Sequence, residues 1–599
     1  MRAASSWHRS RVTDVNERSP AIHDSRRLFG PNQFALHAGA VLEVTCVDAR
    51  GRDTVGHWAQ QVARFAAALG WFDATVHTHV SRERAMLFIT APIDGLMTAT
   101  EVTELAWVAA EAAVDGQPTP DVIAMLREGY TRERQSMPHL VGIQAYARQR
   151  GLVFSLDGDA CSVGSGTGVR TVTHGDVPVD DVSEFDEAWE SAHDVPIALV
   201  TGSNGKTTTT RLVAAMWRAS GRCTGWNCSD GVWVDHDQLE DGDYTGPTGA
   251  RRVIGDVRVQ AAVLETARGG MLRRGLAVNW ADGAIITNIS ADHFGEYGIE
   301  TLADLAQAKR LVARALRPGA PLVLNADDQT LRALAHQLTV PIVWFSAQDH
   351  PLARLTDDSS PAAPAMASIV RDGALLLHRD GAWHHLGLVQ DMPLTLQGAA
   401  VHNIANLAGA ALLASVVGVP LDAIRAVVTT FGAATTDNPG RLMVRACGGL
   451  TVVMDYAHNP DGLASLSRTA ASLRGSRRLL LLGQAGDRDD AQLAALATTA
   501  WQSQSFDRVI IKELPSMRRG RAPGVVSAVL RAALLAAGAP DAAIAMADDE
   551  CEGVRAALAW GRAGDVLVLG VHAERARVLA LIDALVATEW TAGDPVPAC

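Results

Sequence analysis

No run of apolar residues in this 599-residue chain approaches the roughly 20 needed to cross a bilayer, so a membrane-spanning role is not expected. Cysteine is sparse. The seven thiols include no CxxC pair, and Cys223 and Cys228, though near each other, have no second ligand pair at zinc-finger spacing. An odd, scattered set of this kind fits a reducing cytoplasm. Positive charge is in deficit: 53 Lys and Arg stand against 66 Asp and Glu, a net charge of −13. Binding a phosphate backbone needs clustered cations, so no nucleic-acid partner is expected. The first 27 residues carry several Arg and Ser but no apolar core of a secretion signal, and read as a disordered tail. No internal repeat of fixed period is present.

What remains is the composition of a globular protein, 48% hydrophobic and 20% charged, at a length that calls for three or four domains. Residues 28–165 alternate strand-like runs (VLEVTCVDA, ATVHTHV, RAMLFITAPI) with two helical patterns that end in Gly, which predicts an α+β domain. Residues 166–195 turn acidic and read as a linker. Residues 196–434 alternate strands with helices, the mark of a doubly wound parallel sheet. Within them, 346–396 carry Asp-Gly turns and predict a small antiparallel insert. Residues 435–599 repeat the alternation and predict a second, smaller, Rossmann-like α/β domain.

Three motifs each follow a buried-type strand. Gly202-Ser203-Asn204-Gly205-Lys206-Thr207-Thr208 follows IALV, Glu265 follows AAVL, and the segment from Asn288 to His293 follows AIIT. Ligands of open α/β sheets gather at the carboxyl ends of the strands, so these groups are expected to share one crevice. The glycines let backbone N–H groups face phosphates at a helix N-terminus, Lys206 would neutralise the β- and γ-phosphates, and the Thr207 hydroxyl would ligate Mg²⁺. The loop departs from the common phosphate-loop pattern, which has Gly where Val200 stands. Glu265 and His293 complete a candidate metal set with Thr207. Alone, an acid after a strand is more often a solvated loop residue, and a single histidine is more often structural. The combination points to an enzyme that uses ATP and Mg²⁺.

GSNGKTTTT, LETARGGMLRRGL, TNISADHFGEYG, HNIANLAGA, NPGR, DYAHNPDG and GDRDD, in this order over residues 196–599, resemble the Mur ligase superfamily. That superfamily includes peptidoglycan amino-acid ligases, folylpolyglutamate synthases and cyanophycin synthetases. ETARGG with LRRGL, SDG at 229–231, GDYTGPTGA at 242–250, MRRGRAPG at 517–524 and the early RRLFGPNQFALHAGAVLEV resemble the cyanophycin synthetases in particular. Those enzymes carry an ATP-grasp domain ahead of the Mur-like module. Only about 50 residues separate Gly151 from Gly202 here, too few for that domain.

The resemblance implies further roles. Lys309 aligns with the lysine that many Mur ligases carbamylate. His402, Asn403 and Asn406 match a segment near the adenine, Asn288 joins the ATP loop, Arg441 would reach the ATP and Asp455 the ribose. His458 and Asp487 would line the acceptor side, and Arg268 and Arg273 would hold a substrate carboxylate. The implied reaction is ATP-dependent amide formation between an amino acid, arginine in the resembling enzymes, and side-chain carboxylates of an aspartate-containing peptide or polymer. The implied partners are a second copy in a homo-oligomer and a full-length synthetase. The alternatives are a Mur or folylpolyglutamate-type ligase on another acceptor, and a non-catalytic scaffold.

Overall fold

The computed structural model describes residues 22–599 apart from 47, 82, 159, 174–188, 292–293, 350–365 and 504–505. Two compact units account for them. One comprises the residues up to Ile197 with Asn227–Ala281 and Arg310–Arg317; the other comprises Ala198–Trp226, Asp282–Lys309 and Pro318–Cys599. The central domain read from the sequence therefore contributes to both.

In the first unit, β1 (Ile22–Leu28), β2 (Gly39–Thr45), β3 (Val76–Val80) and β4 (Arg84–Thr90) form an antiparallel sheet in the order β1-β2-β4-β3. Side chains alternate between its faces, as the pleat requires. Leu42, Val44, Leu87 and Ile89 pack with Trp58, Val62, Phe65 and Trp107 of the helices Ala49–Ala68 and Leu96–Val114, while Val41, Met86 and Phe88 cluster separately with Leu28. The α+β expectation holds, with one difference: β1 begins at Ile22, inside the stretch read as a disordered tail. The tail reading fails at 22–27, because a strand reading HDSRR lacks an apolar signal and Arg26 is paired with Asp24 and Glu43; residues 1–21 lie outside the described residues. β5 (Phe154–Asp157), β6 (Ala160–Val163) and β7 (Arg170–Thr173) make a three-stranded antiparallel sheet. β7 lies in the segment read as linker, most of whose remainder falls outside the described residues.

Next in the chain come β8 (Ile197–Thr201), β9 (Thr224–Cys228), β10 (Gly231–Val234), β11 (Asp237–Glu240) and β12 (Ala261–Glu265). β10 and β11 form a hairpin, and β12 is buried along its whole length.

In the second unit, β8 pairs with β13 (Gly283–Ile286), followed by β14 (Leu322–Asn325), β15 (Ile342–Phe345) and β16 (Ala367–Arg371), all parallel. β17 (Ala374–Arg379) and β18 (Ala382–Leu388) then continue the same sheet antiparallel. Their turns are Asp372-Gly373 and Asp380-Gly381, each with both residues at positive φ, the two-residue geometry that suits the strand twist. The antiparallel piece expected between 346 and 396 is present, as an extension of the sheet. The helix Val401–Val416 lies nearly buried; a Cβ on its Gly409 would stand 2.8 Å from Ile285 Cδ1 and 3.1 Å from the Phe345 ring, so glycine lets the helix pack closely over β13 and β15.

The remainder of this unit is a six-stranded sheet of order β19-β20-β24-β21-β22-β23, from β19 (Met443–Cys447), β20 (Leu450–Asp455), β21 (Arg478–Leu482), β22 (Arg508–Lys512), β23 (Ile544–Ala547) and β24 (Val566–Gly570). All its neighbours are parallel except the edge pair β19–β20. Helices cover both faces. Leu463, Leu493 and Leu530 lie in one apolar cluster, and Val554, Leu558, Val578 and Ile582 in the other. Such two-sided burial explains why these strands read as continuous Leu, Ile and Val. Cys551 and Cys599 form a disulfide, which the thiol spacing did not suggest. No helix among the described residues is long and apolar enough to cross a membrane.

Candidate functional site

The loop Gly202–Gly205 turns the chain out of β8 and into the helix Lys206–Ala219. Gly202 has φ 151° and Gly205 φ 81°, and a Cβ on either would collide, with Thr287 Oγ1 at 1.8 Å and Asn406 Oδ1 at 2.2 Å. No side chain caps the helix that follows. Its first-turn N–H groups have no acceptor within the helix, and the positive end of its dipole faces the loop.

Side chains from the end of β13 fix the loop. Thr287 Oγ1 donates to Asn204 O at 2.6 Å, Asn288 Nδ2 to the same oxygen at 3.0 Å, and Asn204 N donates to Asn288 Oδ1 at 2.9 Å. The Ser203 hydroxyl donates to Ser290 O at 3.0 Å. The Lys206 ammonium donates to Ser203 O at 2.9 Å, and the buried Lys309 to Gly202 O at 2.7 Å. Thr207 and Thr208 are buried. Asn406 Nδ2 donates to Asn403 Oδ1 at 3.1 Å, and Asn403 Nδ2 to Leu394 O at 3.0 Å, so the first turn of the helix Val401–Val416 is locked beside Gly205. Burial, opposed by the Asp455 carboxylate, holds the His402 imidazole below its ordinary pKa and therefore neutral near pH 7.

Two loops of the last sheet also reach the phosphate-type loop. Asn459 Nδ2 donates to Asn204 Oδ1 at 2.9 Å, and Asn204 Nδ2 donates to Ser290 Oγ and to Asp461 Oδ2, both at 3.1 Å. Asn438 bonds Arg211 and Thr208 at 3.1 and 3.2 Å. Asp455 closes β20 by accepting Leu442 N at 2.6 Å and Ala457 N at 2.7 Å. The Arg441 guanidinium rests 4.4 Å from the Tyr456 ring centroid. Asn438 lies within NPGR, and Tyr456, Asn459 and Asp461 within DYAHNPDG, but nothing in either motif marks them as partners of the loop. Asn-Pro at 459–460 is itself a helix-start signal, and Asn459 caps the helix Pro460–Ser472.

The other candidates are placed as follows. His458 offers its carbonyl to Gln484 Nε2 at 2.5 Å. Asp487 is exposed on a loop whose Gly486 N donates to Met517 O at 2.9 Å. In the first unit, Glu265 ends β12 at 1% exposure, its carbonyl held by Asn227 Nδ2 at 2.9 Å. Arg268 and Arg273 share the helix Arg268–Arg274, the former buried and the latter exposed at a cleft of about 320 Å³ that Arg26, Arg27 and Glu104 also line. His293 lies outside the described residues. Among the described residues no group of three or more His, Cys, Asp or Glu side chains is assembled to hold a metal.

Residues 200–414 match the family model of the Mur ligase middle domain, and residues 440–570 that of the Mur ligase, glutamate ligase domain. Cyanophycin synthetase of Trichormus variabilis is 34% identical over 408 residues, covering 68% of this chain and 44% of that one. The cyanophycin synthetase of Crocosphaera subtropica is 37% identical over 336 residues, covering 56% and 38%. The chain thus spans less than half the length of these relatives. Among solved structures, Escherichia coli FolC in complex with DHPP and ADP aligns at TM-score 0.46 and 21% identity, over 65% of this chain and 89% of that one. With both Mur ligase domains matched in chain order between residues 200 and 570, the chain belongs to the Mur ligase family.

Proposed function

We propose that this protein is an ATP-dependent, ADP-forming carboxylate–amine ligase that joins an amino acid, arginine, to side-chain carboxylates of an aspartate-containing peptide. The observation that carries the reading is the uncapped strand–loop–helix at Gly202–Thr208, bonded to the Asn438 and Asn459 loops of the last sheet. That geometry suits a nucleotide triphosphate: N–H donors and a helix dipole for its anionic oxygens, with Lys206 at the mouth. The choice of arginine and aspartate rests on the similarity to cyanophycin synthetases.

In this reading a substrate carboxylate oxygen attacks the γ-phosphorus and ADP leaves. Lys206 neutralises the charge that builds on the transferred group. The amine nitrogen then attacks the acyl carbon, phosphate departs with the bonding pair, and the amine gives up a proton. The Thr207 hydroxyl, the Glu265 carboxylate and His293 are oxygen and nitrogen donors of the kind that suit Mg²⁺, which when bound would offset phosphate charge. Lys309, already aimed at the loop backbone, would steady it. Arg441 and Asp455 would meet the nucleotide from the last sheet; Arg268, Arg273, His458 and Asp487 would face the substrates. ATP and free amino acids place the reaction in the cytoplasm, with the protein as a homo-oligomer beside a full-length synthetase.

The test is incubation of the purified protein with ATP, an aspartate peptide and each amino acid in turn, followed by mass spectrometry. One arginine added per ATP consumed is expected, with no growth of the peptide by free aspartate. Backbone growth would overturn the argument from the short interval between Gly151 and Gly202. No ATP-dependent product with any amino acid would overturn the ligase reading in favour of a scaffold.

A further inference from the structure

Behind the Tyr456–Asn459 turn lies a buried group of charged and titratable side chains that the proposed chemistry does not use. Lys512, at the end of β22, is 1% exposed; its ammonium donates to Glu550 Oε1 and to Gly570 O. Glu550, also 1% exposed, starts the helix Glu550–Trp560. Its carboxylate accepts His572 N at 2.7 Å and Glu574 N at 2.5 Å. One carboxylate and one ammonium thereby fix both the end of β24 and the loop after it.

That loop presents the His572 imidazole. Nε2 stands 3.3 Å from Ala457 O, and the ring meets Tyr456 edge-on at 5.0 Å between centroids. A carbonyl only accepts, so Nε2 carries the proton. Nδ1 is buried without a hydrogen bond and lies 4.0 Å from Glu550 Oε1. Burial first, and the Lys512 cation next, push the His572 pKa down to about 3, so the ring is neutral at any ordinary pH. Tyr456 in turn carries Arg441 on its face and meets His458 at 5.5 Å.

Burying an ion pair costs desolvation that its own attraction barely offsets, so the pair is poorly explained as a source of stability alone. Its bonds run toward one turn. We propose that His572 is a positioning residue for the Tyr456–Asn459 turn: the Glu550–Lys512 pair fixes the His572 backbone, and the imidazole fixes the Ala457 carbonyl and the ring on which Arg441 rests. The inference rests on the reading that Arg441 and this turn meet the nucleotide.

Two variants of the full chain separate the possibilities. In His572→Gln the amide keeps a donor for Ala457 O; in His572→Leu the donor is gone. Hydrogen exchange at the Ala457–Asn459 amides and the affinity for ADP are both read. His572→Leu is expected to exchange and to release ADP about five- to tenfold more readily, the size of one buried hydrogen bond, with kcat within about twofold and His572→Gln recovering most of the loss. Unchanged exchange, unchanged ADP affinity, or a Gln variant as impaired as Leu would overturn the inference. If His572→Leu does not fold, the paired Lys512→Met, Glu550→Gln variant, which leaves no buried charge, must show the same exchange change. Wild-type protein that binds no ADP would overturn the nucleotide reading together with this one. Wild-type binding with an unaltered Leu variant overturns this one alone.

Discussion

Lys206 is the side chain on which the proposed reaction depends most. Lys206→Ala is expected to lower kcat by at least about 100-fold, the usual loss when a transition-state cation is removed. Its thermal unfolding should stay at the wild-type temperature, because the ammonium contributes only a half-exposed bond to Ser203 O. A variant with near-normal turnover would dissociate this crevice from ATP. Glu265 makes a different demand. Its side chain is fully enclosed at the end of β12, so Glu265→Ala should shift the Mg²⁺ dependence of activity to higher concentration while metal-free ATP binding is kept. Turnover that follows the wild-type Mg²⁺ titration would return Glu265 to a structural role.

Among the elements, the loop and the helix after it are the most constrained. Gly205→Ala places a Cβ on a left-handed residue and against Asn406 Oδ1, and should destabilise the chain by about 1–2 kcal/mol in chemical denaturation from the backbone term alone. Much of this was legible from the residues. Strand, Gly-rich turn and Lys-Thr announced the loop, and two Asp-Gly pairs announced the β16–β18 hairpins. Other features were not. Asn204 meets Asn459, 255 positions further along the chain, and no local pattern encodes such a pairing. Lys512 ends the apolar strand β22, and only the fold shows Glu550 closing over it. β1 escapes a pattern reading because its buried Arg26 is paired with Asp24 and with Glu43 of the neighbouring β2, a partner no local pattern shows.

For the molecule as a whole, His402 and His572 set a pH dependence. Both are held neutral in the fold by burial, His572 with a pKa of about 3, whereas an unfolded histidine titrates near about 6.5. Below that pH the unfolded chain takes up protons that the folded chain refuses, so stability falls as pH drops from about 6.5 toward 3. Denaturant midpoints should decline between pH 7 and pH 5, and decline less steeply in His572→Gln. Identical slopes in the two proteins would show that His572 does not contribute. The Cys551–Cys599 disulfide closes a loop of 48 residues. Cys599→Ser should therefore lose about 2–4 kcal/mol of stability under oxidising conditions and nothing in strong reductant. Equal stability in both conditions would mean that the bond does not form in solution.

The hydrogen bonds around Asn204 also govern how the protein ages. Asn-Gly is the dipeptide in which a side-chain amide most readily cyclises onto the next backbone nitrogen, losing ammonia and leaving aspartate or isoaspartate. Here Ser290, Asp461 and Asn459 hold both atoms of the Asn204 amide away from that attack, at 3.1, 3.1 and 2.9 Å. Two of the three guards, Asn459 and Asp461, sit at the start of the helix Pro460–Ser472. Loss of these bonds leaves the phosphate-type loop open to irreversible deamidation, so a protein carrying Asn459→Ala should accumulate isoaspartate at position 204 faster than wild type.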